Sequence, residues 1–384
     1  IPKSTIGAQE LFMDLLKERA ETGRIYIMNI DHCNSHSSFK DKVNMSNLCQ
    51  EITLPTKPVQ HIDDPEGEIA LCILSAINLG MIKDKEELEE LCDLSVRALD
   101  EIIDYQEYPV EAAKKSTEAR RSLGVGYIGL AHYLAKNKVK YNNQEAWKLV
   151  DEITEAFQYY LLKASNQLAQ EKGKCDYFDR TKYADGILPI DTYKKDVDNI
   201  VKRKLSYDWT TLRNNIKSSG LRHSTLSAQM PSESSSVVSN ATNGIEPPRD
   251  YLSVKKSKKG TLKQIVPDYN RLKNFYTLLW DMPDNEGYIN IVAIMQKYFD
   301  QAISGNWSYN PENYEGNEVP LSVMAKDLLN TYKLGWKTSY YQNTYDGKTD
   351  VEEPTHSVGW HDNVKEEPKE IILDDQEECE ACAI

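Results

Sequence analysis

Residues 45–55 read MSNLCQEITLP. An asparagine stands two places before the cysteine and a glutamate two places after it. Read as an extended segment, 47–55 turns alternate side chains to one face. Asn47, Cys49 and Glu51 then point one way, while Leu48, Gln50 and Ile52 mostly point the other. Asparagine brings donors and an acceptor, glutamate exchanges a proton, and cysteine brings a thiol. A half-exposed strand with a wetted polar face accounts for the same pattern without chemistry. If the trio reacts, two kinds of chemistry compete. A thiolate nucleophile usually needs a histidine to lower its pKa, and a carboxylate beside the thiol raises it instead. His32 and His36 are near in sequence, but nothing in the spacing folds them back. A cysteine oxidised by one electron abstracts hydrogen and tolerates the neighbouring charge, which leaves the carboxylate free to take a proton from substrate.

The chain has 384 residues, 40 % of them hydrophobic, enough for one large domain or two ordinary ones with a substantial core. Its formal net charge of −14 argues against a broad electrostatic grip on nucleic acid or anionic membrane. No apolar run approaches the ~18 residues of a membrane span, and no signal-peptide pattern opens the chain. It begins Ile-Pro-Lys, which reads as a fragment or a processed product. The seven cysteines are odd in number and scattered, unlike a secreted disulfide framework, and point to a reducing cytoplasm. Cys33, Cys92 and Cys175 read as core thiols.

Apolar residues recur at helical spacing over 7–21, 84–105 and 144–172. Short extended candidates fall at 24–31 (RIYIMNID), 47–55, 222–230 (RHSTLSAQM) and 338–345 (TSYYQNTY). Helices interleaved with isolated strands indicate an α/β architecture. GVGYIG at 124–129 fits G-x-G-x-x-G, but a charged helical stretch precedes it and no strand feeds the glycines. Close packing between a helix end and a neighbour explains it better than a dinucleotide site. KKSKKG at 255–260 reads as a solvated turn. From about 346 the chain turns acidic and proline-punctuated, the composition of a mobile tail, which divides it into a domain over 1–345 and a tail over 346–384.

That tail ends in CEAC. Zinc needs two further ligands, and the chain has no second C-x-x-C, so Cys379 and Cys382 read as a redox dithiol on a mobile arm. Its target would be an internal cysteine, with Cys72 in GEIALC the candidate; alone, Cys72 reads as a buried core thiol. Tyr340 and Tyr341 stand side by side in KTSYYQNTY, as ordinary β-formers do. Stacked phenols could also carry a proton-coupled electron between a surface and Cys49. Residues 222–248 read as a strand, a proline and a serine-rich helix start, where Ser232, Ser234 and Ser235 form either a plain cap or an anion cradle.

Taken together, SNLCQEITLP, GEIALC, WTTLRNNIKSSGLRHSTLSAQMP (209–231), PSESSSVVSNATNGIEPPR, the tyrosine pair and the terminal cysteines resemble the large subunit of class I ribonucleotide reductase, in its C-terminal half. The resemblance implies the C-terminal part of a ten-stranded α/β barrel, with the reactive cysteine on a central finger loop. It implies that Cys49 becomes a transient thiyl radical that removes the ribose 3′ hydrogen. Glu51 would take the 3′-hydroxyl proton and Asn47 would hydrogen-bond the substrate. Cys72 would be one of two cysteines that reduce the 2′ position. Tyr340 and Tyr341 would relay the radical from a separate metal-bearing small subunit. Cys379 and Cys382 would re-reduce the site and be recharged by thioredoxin or glutaredoxin. Pro231, Ser232, Glu233, Ser234 and Ser235 would hold the substrate diphosphate.

No metal or cofactor is implied in this chain. The partner cysteine of Cys72 and most of the effector-nucleotide site belong to the family's upstream half. The chain is therefore expected to need that half, as the rest of one polypeptide or as a second one, and to be inactive alone. Three rivals remain. A glycyl-radical relative would carry a glycine motif near the C-terminus. A thiol hydrolase lacks an assignable histidine. A catalytically incomplete half-subunit acting as an assembly partner would have no need of the intact cysteines.

Overall fold

The computed structural model describes residues 5–62, 64, 66–257 and 260–347. Cys379 and Cys382, and nearly all of the expected tail, lie outside the described residues.

The long helices start and stop on local chemistry. Helix α1 (Ala8–Thr22) ends at Gly23, whose φ of 69° is the left-handed conformation that closes a helix. Strand β1 (Ile27–Met28), helix α2 (Ile30–Ser35) and strand β2 (Ile73–Asn78) follow. Asp84 accepts the Glu87 N–H at 2.8 Å to open α3 (Lys85–Tyr105). After α4 (Glu111–Arg120), β3 (Leu123–Ile128) and α5 (Leu130–Lys136), Asn143 accepts the Glu145 N–H at 2.8 Å to open α6 (Gln144–Lys172). The helices expected at 7–21, 84–105 and 144–172 are present within a residue. Then come α7 (Pro189–Thr192), α8 (Trp209–Ser219), α9 (Glu233–Val238), the hairpin β4 (Leu252–Ser257) and β5 (Gly260–Ile265), and α10 (Tyr269–Leu272). Of the 255–260 run that reads as a turn in the sequence, residues 255–257 and 260 are strand. Helix α11 (Glu286–Gln296) is apolar nearly all round and buried along most of its length, as a helix through the middle of a core must be. The chain closes with β6 (Trp307–Tyr309), α12 (Leu321–Lys333), β7 (Thr338–Ser339) and β8 (Gln342–Thr344).

Parallel pairing runs through the middle of the molecule. β2 pairs with β3 from Ile73–Leu123 to Asn78–Ile128. The other edge of β3 takes 225–228: Val125 N–H donates to Leu226 O at 2.8 Å, and Ala228 N–H donates back to Val125 O at 3.2 Å. Residues 227–229 in turn pair with 301–304, through Gln301 N–H to Ser227 O at 3.0 Å and Ser304 N–H to Gln229 O at 2.9 Å. β6 continues that segment and lies parallel to β8, while β7 pairs antiparallel with β1. Among the described residues this ladder does not close, and β2 has a strand neighbour on one side only. Leu74 in β2 and Leu71 just before it are 41 % and 36 % exposed.

Several extended candidates need correction. Of 24–31 only Ile27–Met28 is strand, and Ile30 and Asp31 already belong to α2. Residues 338–345 are strand on either side of the tyrosine pair and not through it. Residues 124–128 are strand rather than a helix end, and Gly129, at φ 75°, opens α5. The strand's glycines serve close packing: a Cβ on Gly124 would lie 3.0 Å from Cys72 Sγ, and one on Gly126 would lie 2.6 Å from Ala228 O. Cys33, Cys92 and Cys175 are buried, as core thiols should be.

Candidate active site

The segment 47–53 is not a strand. Gln50 N–H donates to Asn47 O at 3.2 Å, and buried Gln50 takes a φ of 66°, so the chain turns tightly at the cysteine. The turn still gathers the three side chains, by a different route from alternation on a pleat. Asn47 Oδ1 accepts the Ile52 N–H at 3.1 Å. The segment 301–304 holds the turn from behind. Ser304 Oγ donates to Cys49 O at 2.5 Å, Ala302 N–H to Glu51 O at 3.0 Å, and Thr53 N–H to Gln301 Oε1 at 3.3 Å.

Glu51 is buried, and burial pushes its carboxyl above the ordinary carboxylate range, with the Asn47 side chain pulling the other way. Its Oε2 has no hydrogen-bond partner among the described residues. The Cys49 thiol is raised first by desolvation and further by Glu51, while the Tyr340 hydroxyl works to lower it. Cys72 keeps part of its surface exposed, unlike the fully buried thiol expected from its apolar stretch. Desolvation at the sulfur still pushes its thiol up to about 12, and the charge of Glu51 adds to this. One carboxylate thus acts electrostatically on both cysteines. Both thiols are held above their ordinary range, and hydrogen-atom chemistry needs no thiolate.

Tyr340 Oη donates to Cys49 Sγ at 3.5 Å. The Tyr340 and Tyr341 ring centroids are 4.1 Å apart, with Tyr340 buried and Tyr341 partly exposed. Although neighbours in an unbroken strand face opposite sides, the break between β7 and β8 lets these rings meet. Tyr26, just before β1, joins them at 4.6 Å from Tyr340 and 5.3 Å from Tyr341. Burial raises the Tyr26 and Tyr340 phenols well above the ordinary value. Buried Arg19 donates to Tyr340 O at 2.9 Å and Tyr341 O at 3.4 Å and lies over the Trp307 ring. Asn306 Oδ1 accepts the Tyr341 N–H at 3.1 Å.

Residues 231–235 leave the strand-like segment 225–229 one ladder position from the cysteine turn. Ser304 N–H reaches Gln229 O while Ser304 Oγ reaches Cys49 O. Ser232 stands at the N-terminus of α9 with φ 58°, but its hydroxyl donates back to Met230 O at 3.3 Å and does not cap the helix. Glu233 lies in the first turn, and Ser234 and Ser235 are exposed there. The structure therefore brings together Asn47, Cys49, Glu51, Cys72, Tyr340 and Tyr341, whereas Pro231–Ser235 follow in sequence a segment that meets Ser304 behind the turn. Sequence reading missed Tyr26, Arg19, Gln301, Ser304 and Asn306. Of these only Tyr26 had a local signal, an aromatic residue in a quoted strand candidate. Among the described residues no cluster of histidine, cysteine or carboxylate side chains is arranged to hold a metal ion, and no helix is long and apolar enough to cross a membrane.

The family model "Ribonucleotide reductase, barrel domain" matches residues 1–342. Similar curated proteins include a ribonucleoside-diphosphate reductase subunit alpha of Haemophilus influenzae, 60 % identical over 92 % of this chain and 47 % of that protein. Ribonucleoside-diphosphate reductase 1 subunit alpha of Escherichia coli K12 is 56 % identical over 92 % of this chain and 47 % of its own length. The subunit alpha of Enterobacteria phage T4 is 44 % identical over 90 % and 46 %. The chain spans about half the length of the curated relatives it matches.

Proposed function

The chain belongs to the ribonucleotide reductase barrel-domain family, and from that premise we propose that it is the C-terminal half of the catalytic subunit of a ribonucleoside-diphosphate reductase. The observation that carries the reading is the Tyr340 hydroxyl at 3.5 Å from Cys49 Sγ, with the partly exposed Tyr341 ring tilted against that of Tyr340 at 4.1 Å. An electron and a proton leave Cys49 together along this pair, toward a metal-bearing small subunit. The thiyl radical then takes the 3′ hydrogen atom of the ribose, which restores the S–H bond and leaves a carbon radical. Glu51, ionised above its raised pKa, takes the 3′-hydroxyl proton, and Asn47 orients the sugar and the carboxylate. The 2′-hydroxyl departs as water. Cys72 and a cysteine of the upstream half supply two electrons and two protons and close a disulfide. The 3′ hydrogen returns from Cys49, Glu51 gives its proton back to the 3′ oxygen, and the radical passes back to the tyrosines.

Cys379 and Cys382 open that disulfide and are recharged by thioredoxin or glutaredoxin. Pro231, Ser232, Glu233, Ser234 and Ser235 would hold the diphosphate. The fold is the C-terminal part of a ten-stranded barrel, and the turn at Cys49 is its finger loop. The one-sided edge at β2 and the exposed Leu71 and Leu74 support completion of the barrel by an upstream half. Effector nucleotides bind mainly in that half, and the assembly works in the cytoplasm. The test is to mix this chain with the upstream half, a small subunit and a dithiol, and to measure deoxynucleotide formed from a ribonucleoside diphosphate. Turnover is expected from the full mixture only. Deoxynucleotide from this chain and the small subunit alone would contradict the reading.

A further inference from the structure

Gln301 is completely buried and belongs to the segment that backs the cysteine turn. Its side-chain amide is held at both ends. Oε1 accepts the Thr53 N–H at 3.3 Å, and Nε2 donates to Leu123 O at 2.9 Å. Reversing the amide would set oxygen against a carbonyl and nitrogen against an N–H, so its orientation follows from the backbone around it. One Nε2 hydrogen serves Leu123 O. The other faces Cys72 Sγ, with nitrogen and sulfur 3.5 Å apart. The residue's own backbone is equally fixed. Its carbonyl accepts from Lys337 Nζ at 2.8 Å and Gln296 Nε2 at 2.9 Å, and its N–H donates to Ser227 O at 3.0 Å. Gly124 presses on the same sulfur from another side, where a Cβ would come within 3.0 Å of it.

We propose that Gln301 is a positioning residue for Cys72, whose side-chain N–H stabilises the sulfur as a thiolate and so makes Cys72 the leaving group when its disulfide is reopened. This rests on the proposed role of Cys72 in a catalytic disulfide. In the step, a thiolate of the reducing dithiol attacks the sulfur of the partner cysteine. A new S–S bond forms to that sulfur, the old one breaks, and its electron pair leaves on Cys72 Sγ. The thiolate then takes a proton from water. A leaving sulfur departs faster when its anion is stabilised. Neighbouring Glu51 and the burial of Cys72 both oppose that anion, and among the described residues Gln301 supplies the side-chain donor that favours it. The same amide ties Cys72 to the turn carrying Cys49 and Glu51, through Thr53.

The test is alkylation of the reduced full-length chain, read peptide by peptide with mass spectrometry across the pH range. It does not depend on ribonucleotide reduction, so its failure is separable from failure of the proposed function. Gln301→Met keeps the length and removes the donor. Losing a hydrogen bond to a charged sulfur should slow Cys72 alkylation about tenfold at a given pH, with Cys49 unaffected. An unchanged Cys72 rate in the folded variant overturns the proposal. Because that variant strips two backbone partners and could fail to fold, a second measurement uses the unsubstituted chain. Alkylating Cys72 should shift the Gln301 side-chain amide proton resonances, and resonances that stay in place overturn the proposal equally.

Discussion

The phenol of Tyr340 donates to the sulfur of Cys49 across 3.5 Å, from a ring itself 4.1 Å from that of Tyr341. A hydrogen bond between two oxidisable groups is the arrangement in which a proton and an electron can move together. Phenylalanine keeps the ring and its packing but cannot be oxidised or deprotonated. Tyr340→Phe and Tyr341→Phe should each reduce turnover of the assembled enzyme to background while nucleotide binding, followed by calorimetry, stays within about twofold, a difference of under 1 kcal/mol. Retained turnover would reduce the pair to packing.

As the proposed base, Glu51 would tie the rate to pH. Its folded pKa is raised by burial, so as a base it is ready only above that raised value. The rate of the chemical step should fall as pH drops, with a midpoint above the ordinary glutamate value of about 4.3. The same shift has a stability consequence of definite sign. The folded state binds the Glu51 proton more tightly than the unfolded chain, so stability declines as pH rises from the unfolded pKa through the folded one. Glu51→Gln should abolish turnover yet melt higher than the parent at pH 7, the difference vanishing below about pH 4. Thermal melts across pH check both signs.

The two sulfur roles separate by reductant. Cys49→Ser should abolish turnover with any reductant, because serine does not form the needed radical. Cys379→Ser should abolish thioredoxin-driven turnover and spare turnover driven by dithiothreitol, which reaches the site directly. Equal loss of the Cys379→Ser enzyme under both reductants would remove the shuttle role.

Asp100 is the buried hub of the outer layer, meeting Arg121 Nε at 2.6 Å, Arg222 Nε and His223 Nε2 at 3.1 Å, and Lys172 Nζ at 3.3 Å. Burial alone would raise its carboxyl, but His223 and Arg121 outweigh it and hold the group far below the usual range. Its contribution is therefore complete above the unfolded pKa and fades as the solution is acidified. Asp100→Asn takes a buried carboxylate away from buried Arg121, which keeps Asp104, and from half-buried Arg222, and should cost about 3–5 kcal/mol in urea unfolding at pH 7. A cost under about 1 kcal/mol, the range of surface ion pairs, would contradict the hub.

The long helices were legible because apolar residues recur along them at helical spacing; their ends, fixed by Asp84, Asn143 and Gly23, came from the structure. The sequence made the cysteine trio legible as a group and misread its geometry. Nothing local marks Gln50 for a left-handed conformation; bonds from residues 302 and 304 impose the turn. β3 was hidden because glycines weaken strand propensity, and here they are needed for contact with Cys72 and Ala228. Gln301 had no signal at all, since its contact with Cys72 spans 229 residues of chain. The Tyr26 stack depends on β1 meeting β7, a pairing that two-residue strands do not announce. Family motifs carried the functional reading across these gaps.

The central claim is that Cys49 Sγ removes the 3′ hydrogen of a ribonucleotide. Its most direct measurement is turnover of a 3′-deuterated ribonucleoside diphosphate by the assembled enzyme, beside the same substrate carrying ordinary hydrogen. The account predicts a primary isotope effect on kcat/KM and no turnover of either substrate by Cys49→Ser. Deoxynucleotide formation by Cys49→Ser, at a rate comparable with the parent, would contradict it.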